Sequence, residues 1–277
     1  MTVLAAGLAL LGSLFFAVGA ALQQFEAAST ARVTFRHLAR RPRWLLGGLA
    51  IGAGTVLHIV ALRYGPLTVV QPMGVASLLF ALPCAAMLQR RRPRPGELAA
   101  AAVIAIGLIG LVLVVPGHSG DPHLSGAEAV TLLAGAATVA LLLWGAARGA
   151  SPAVRAGLLA MGAGVLYGAT ATLTRVLVEG DWEPWLLPAA PMPALIALAL
   201  LQRAYAVGHF GVAFAALQVA DPLTAVAFGA LLLGEPLPTG TASMLTALLA
   251  SALTAAGTVA LARTSPMSAN AHDAITR

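Results

Sequence analysis

The chain has 277 residues, of which 59% are hydrophobic and 9% charged, with a formal net charge of +6. Soluble domains carry roughly a quarter charged residues, so a water-soluble globular fold is excluded. The basic excess does not mark a nucleic-acid binder, because the arginines cluster in short loops beside apolar runs, where they report membrane topology. The apolar runs are continuous rather than alternating, which argues against a β-barrel. Cys84, the one cysteine, lies inside an apolar run and reads as a small packing residue.

An apolar run of about 20 residues crosses the hydrocarbon core as a helix. Runs of that kind predict an all-α polytopic membrane protein with about nine spans, near 3–25, 44–62, 66–88, 98–115, 127–147, 155–177, 185–202, 208–233 and 240–262. Residues 1–25 lack a basic leader, and their arginines follow the run, so they read as a retained span. Arg32, Arg36, Arg40, Arg41 and Arg43 follow span one. Arg90, Arg91, Arg92 and Arg94 follow span three, and Arg148 and Arg155 follow span five. The intervening loops carry Asp121, then Glu179, Asp181 and Glu183, then Glu235. Arginine on alternate sides puts the N-terminus outside and the C-terminus in the cytoplasm of a cell membrane. Trp44 and Trp144 at inner ends, and Trp182 and Trp185 at an outer end, read as interfacial anchors.

A weak internal repeat joins the two ends of the chain. FAVGAAL from Phe16 is matched by YGATATL from Tyr167, and Gly65, Pro93 and Pro95 are matched by Gly208, Pro236 and Pro238. Spans one to four would then repeat as spans six to nine, with span five as linker, and the halves would run in opposite directions. The expected divisions are residues 1–115, a linker at 116–153, a second repeat at 154–262 and a disordered cytoplasmic tail at 263–277. Gly48 with Gly52, and Gly164 with Gly168, are spaced for close helix contact on spans two and six.

Few polar residues fall inside the spans. Asp221 stands before Pro222 in span eight, and Gln71 stands before Pro72 in span three. Mid-span prolines in both halves predict interrupted helices around a binding site. Two readings of Asp221 stand side by side: a coupling or cation-binding carboxylate, and a cap for a new half-helix. His58 is a proton-relay candidate or a neutral, hydrogen-bonded histidine. Gln23, Tyr167 and Gln218 complete the candidate pathway residues. There is no Walker motif, no H-E-x-x-H and no G-x-S-x-G, so no enzyme and no cofactor is expected. His118, Asp121 and His123 share one short loop, which is weak ground for a metal site.

The stretch Gly65, Pro66, Leu67, Val70, Pro72, Gly74 and Ser77, with DPLTAVAFGALLLGEPL from Asp221, resembles the drug/metabolite transporter superfamily. The second segment resembles its EamA-like branch, while the span count and first-half pattern also resemble NIPA-type magnesium transporters. The resemblance implies a secondary transporter of a small molecule or cation, working by alternating access within the lipid bilayer, with magnesium transport as the alternative. The arginine pattern makes its own prediction: topology reporters fused at Arg41, Arg92 and Arg148 should all report cytoplasm. An external signal at any of the three would break the alternation.

Overall fold

The computed structural model describes residues 2–30, 34–65, 67–114, 122–180, 184–234 and 240–264. The side chains of Thr2, Leu67, Thr68, Val69, Gln71, Pro72, Val178 and Glu179 lie outside that description, as do His118, Asp121, Trp182 and the tail beyond Thr264. Eleven helices appear among the described residues: α1 (Thr2–Ala28), α2 (Phe35–Leu38), α3 (Pro42–Tyr64), α4 (Leu67–Leu88), α5 (Pro95–Val114), α6 (Gly126–Ala147), α7 (Pro152–Glu179), α8 (Leu186–Ala189), α9 (Pro191–Ala206), α10 (Phe210–Leu232) and α11 (Thr241–Thr264). Eight helical segments are long and apolar enough to cross a membrane, with α8 and α9 acting as one. The chain is an all-helical, multi-pass membrane protein. Helix α4 has 22 residues, of which Met73–Leu88 form its described apolar stretch.

Local chemistry explains the helix ends. Helices α3, α5, α7 and α9 each begin on a proline, which lacks the N–H that a first turn leaves unpaired anyway. Helix α6 begins on a capping box, in which the Ser125 hydroxyl accepts from the Glu128 N–H and the Glu128 carboxylate accepts from the Ser125 N–H. Helix α4 ends in a left-handed residue, Arg90, at φ 53°. The Arg90 N–H donates to the Met87 carbonyl and the Arg91 N–H to the Ala86 carbonyl, the two bonds of a Schellman turn. A non-glycine residue there costs roughly 1–2 kcal/mol. The turn is held from outside: Arg91 grips Glu97 with both guanidinium nitrogens at 2.8 and 3.1 Å, and the Arg94 N–H adds a third bond at 2.9 Å.

The expected interruptions are absent. Helix α10 runs through Pro222, and α4 runs unbroken from Leu67 to Leu88. One proline removes a single donor, and the ladder continues on either side of it. Asp221 therefore sits mid-helix and caps no half-helix.

Helix α1 packs on α3 and α4, α7 packs on α9 and α10, and α5 packs on α11. Further contacts join α6 to α7, α4 to α5 and α10, and α1 to α9. Glycines set the closest approaches. A Cβ on Gly54 would fall 2.8 Å from the Gly12 carbonyl oxygen, and one on Gly19 would fall 2.5 Å from the Gly47 carbonyl oxygen. Helices α1 and α3 are thus antiparallel and touch along glycines spaced by seven. The contact face on α3 is not the expected one: nothing lies within 4 Å of a Cβ on Gly52, and Gly48 would meet only the tip of Gln23. Gly164 and Gly168 do face a neighbour, the Ala220–Ala225 stretch of the parallel helix α10. Gly54→Leu and Gly164→Leu should each lower thermal stability in detergent by about 1–3 kcal/mol or more, from overpacking. Gly52→Leu should melt like the wild type. Destabilisation by Gly52→Leu equal to that of Gly54→Leu would refute this face assignment.

Candidate functional site

Helices α4 and α10 meet at the centre of the bundle through one polar pair. The Gln218 side-chain amide donates to the Ser77 hydroxyl at 2.9 Å. One turn further along α10, Asp221 lies midway between Phe210 and Leu232. Its carboxyl has no hydrogen bond or ion pair among the described residues. The Thr224 hydroxyl donates to the Ala220 and Asp221 carbonyls at 2.6 and 3.0 Å, covering backbone oxygens beside Pro222. Gly164 and Gly168 of α7 let that helix press on the same turn: a Cβ on Gly164 would fall 3.0 Å from the Asp221 nitrogen. Tyr167, between those glycines, lies within electrostatic range of Asp221. Tyr205 is fully buried and packs against Phe210, which stacks on Phe214.

The other candidates are distributed around this centre. His58 of α3 covers Gly74 of α4, where an added Cβ would come 3.0 Å from the imidazole Cε1. Its Nδ1 is buried and has no hydrogen-bond partner among the described residues. A ring nitrogen left without a partner in an apolar place is costly, and it stays available to a solute or water. Ser13 of α1 donates to the Met73 carbonyl at 2.6 Å, next to the same glycine. Gln71 lies outside the described side chains. Gln23 does not join the central group. It belongs to a chain at the arginine-rich end of the bundle, where the Trp44 indole N–H donates to Gln202 at 3.0 Å and the Gln202 amide donates to Gln23 at 2.9 Å.

That chain links α3, α9 and α1, and its members are 6%, 1% and 3% exposed in the order Trp44, Gln202, Gln23. Trp44 is therefore a buried donor and not an interfacial anchor. The sequence hid this because a tryptophan at a span end looks the same in either role. Trp144 keeps the Arg148 guanidinium over its ring at 3.9 Å, as an aromatic near a charged helix end does. Around the buried chain, Gln89 donates to Gln24 at 3.4 Å and Arg41 pairs with the buried Glu26 at 3.0 Å. Among the described residues no cluster of three or more histidine, cysteine or acidic side chains gathers as metal ligands.

No protein-family profile matches the chain. No solved structure matches it either. It is similar to an uncharacterized protein of Corynebacterium glutamicum, 26% identical over 239 residues that cover 82% of each chain. The likeness runs along most of both chains and is not confined to one segment.

What the centre can do follows from its chemistry. One carboxyl, one amide, two hydroxyl-bearing partners and an imidazole nitrogen stand among apolar helices, groups able to orient a small polar or cationic group. Sequence reasoning passed over Ser13 and Gln202 and named Ser77 only within a family-like stretch; a small polar group in an apolar run gives no signal until its partner is known. The buried chain at the other level makes a stability prediction. Gln202→Leu strands the Trp44 donor and the Gln23 acceptor, at a cost of roughly 1–3 kcal/mol. In a double-mutant cycle read by unfolding in detergent, Trp44→Phe should cost less in the Gln202→Leu background than alone. Strict additivity would mean that the pair is not coupled.

Proposed function

We propose that this protein is a secondary transporter of a small, polar or cationic solute, working by alternating access between two inverted four-helix repeats. The observation that carries the reading is the pairing of helices. In the first part of the chain α1 packs on α3 and α4, and in the second part α7 packs on α9 and α10 in the same way. Across the halves like helices meet, α4 with α10 and α5 with α11, as a pseudo-two-fold axis requires, and α1 adds a contact with α9. Helix α6 is left over as the linker. Counting α4, whose 22 residues reach about 33 Å at 1.5 Å per residue, gives nine spans. Nine spans with the arginine alternation support an N-terminus outside and a C-terminus in the cytoplasm. The arrangement is that expected of the drug/metabolite transporter superfamily.

In this reading Ser77, Gln218 and Asp221 stand where the two repeats meet. Inverted repeats make α4 and α10 antiparallel, and Ser77 opposite Gln218 then brings Gly74, with His58 above it, level with Asp221. A carboxyl at that depth costs at least ~2.5–3.5 kcal/mol on insertion scales, which a purely structural role would not repay without a partner. Asp221 binds the solute or its coupling proton, Gln218 and Ser77 orient the solute, and rocking of one repeat against the other exposes it to either side.

The test is uptake into proteoliposomes of amino acids, organic cations and Mg²⁺, each with and without a proton gradient. Asp221→Asn keeps the shape and should reduce uptake of the transported solute to background while the melting temperature in detergent holds. Normal uptake with unchanged gradient dependence would remove Asp221 from the mechanism. Uptake of Mg²⁺ alone would select the magnesium-transporter reading instead.

A further inference from the structure

Away from the centre, the segment joining α1 to α3 carries an open groove of about 460 Å³ lined by Thr34, Arg36, His37 and Arg40. That volume falls in the range of roughly 300–1,000 Å³ typical of small-ligand sites. The cations around it divide into two groups. Arg41 is committed to Glu26 at 3.0 Å and also contacts His37 at 3.3 Å. Arg43 lies over the Phe25 ring and 4.0 Å from Glu26. Arg36 and Arg40, four residues apart, pair with no carboxylate among the described residues and are both exposed. Thr34 stands at the start of α2 in an extended conformation, and its side chain makes no capping bond. Its hydroxyl is therefore open to the groove beside two uncommitted guanidinium groups.

The surroundings are those of a membrane interface. Leu38 is fully buried and pins α2 to the bundle. Phe35 is half exposed and sits edge-on against Trp44 at 5.4 Å. Just beyond, the first turns of α3 leave Leu45, Leu46 and Leu49 exposed. Two free guanidinium groups and a hydroxyl match the three-acceptor surface of a phosphate. Exposed leucines directly after them match acyl chains, which a soluble phosphate does not have.

We propose that Thr34, Arg36, His37 and Arg40 form a binding site for the phosphate headgroup of an anionic lipid in the leaflet that this end of the bundle occupies. The Arg36 and Arg40 forks take the phosphodiester oxygens, the Thr34 hydroxyl donates to a third, and the acyl chains lie along α3. The site does not depend on what the bundle transports. A juxtamembrane arginine strengthens anionic-lipid binding roughly fivefold, so losing both should weaken it about 25-fold.

The experiment uses the full chain, delipidated in neutral detergent and titrated with phosphatidylglycerol, phosphatidylcholine or inorganic phosphate, with bound species counted by native mass spectrometry. The control variant Arg92→Gln/Arg263→Gln removes the same charge from exposed positions elsewhere at the arginine-rich side. Wild type and control should each retain one phosphatidylglycerol in preference to phosphatidylcholine, and Arg36→Gln/Arg40→Gln should lose it. Because both arginines are exposed and pair with no carboxylate among the described residues, the variant should melt like the wild type. Equal weakening by the control would reduce the site to diffuse charge. Equal retention of phosphatidylcholine would reduce it to the apolar belt. Displacement of the lipid by inorganic phosphate at similar concentration would make it a soluble-anion site and overturn the lipid assignment.

Discussion

Helices in a lipid medium gain nothing by hiding apolar surface from one another, so close van der Waals packing must hold them together. In this chain that packing is concentrated where backbones nearly touch. Gly12 and Gly19 meet Gly54 and Gly47 between α1 and α3, while Gly107 and Gly257 meet the Ala250–Thr254 and Ala100–Ile104 stretches between α5 and α11. Gly164 and Gly168 do the same for α7 on α10. Helices α1 and α7 each pack on two long neighbours, α1 on α3 and α4 and α7 on α9 and α10, while the α5–α11 pair joins the bundle through α4 and α10.

Tight apolar contacts leave little room for polar groups, and the ones admitted are unevenly satisfied. At the arginine-rich end most are engaged, the buried side-chain nitrogen of Gln24 being an exception among the described residues. Glu97 is 1% exposed yet accepts three hydrogen bonds, and Gln202 is both donor and acceptor. Breaking one member of such a pair strands the other in an apolar place, so these contacts act as fixed joints. The centre is the opposite. Asp221 and the Nδ1 of His58 are left without a described partner, and the Ser77–Gln218 bond joins two helices that otherwise meet lightly. A bundle built this way is rigid at one level and adaptable at another.

The helical, membrane-spanning character was legible from composition alone, because runs of apolar residues in lipid have few other outcomes. Proline at the first turns of α3, α5, α7 and α9 is a start signal that the apolar runs alone did not use, and the spans read from them began at other residues. Helix contact faces were not legible. Gly48 and Gly52 have the spacing of an interface, yet Gly47 and Gly54 are the ones that touch α1. Glycine is common on every face of these helices, and spacing by four does not say which face a neighbour occupies. The prolines misled for a related reason: Pro222 looked like a break, but a helix enclosed by neighbours bridges one missing donor. Of the candidate site, Asp221 and Gln218 were visible as polar residues in an apolar run. Their link to Ser77, and the role of Gln202 as partner to both Gln23 and Trp44, depend on contacts between residues far apart in sequence.

The pairing of α5 with α11 bears on how the molecule is made. Gly107 and Gly110 face Ala250 and Thr254 of the last described helix, and Gly96 faces Thr264 near its end. A ribosome that has finished α5 must still synthesise everything from Val114 to Thr241 before the partner begins to emerge. At about 5–20 residues per second, that leaves the small-residue groove of α5 facing lipid for roughly ten seconds. During that interval the half-built bundle presents a groove shaped for a helix, open to any small-faced segment nearby, including that of another nascent copy. Closing it waits for α11, and it joins the first half of the chain to the last described helix.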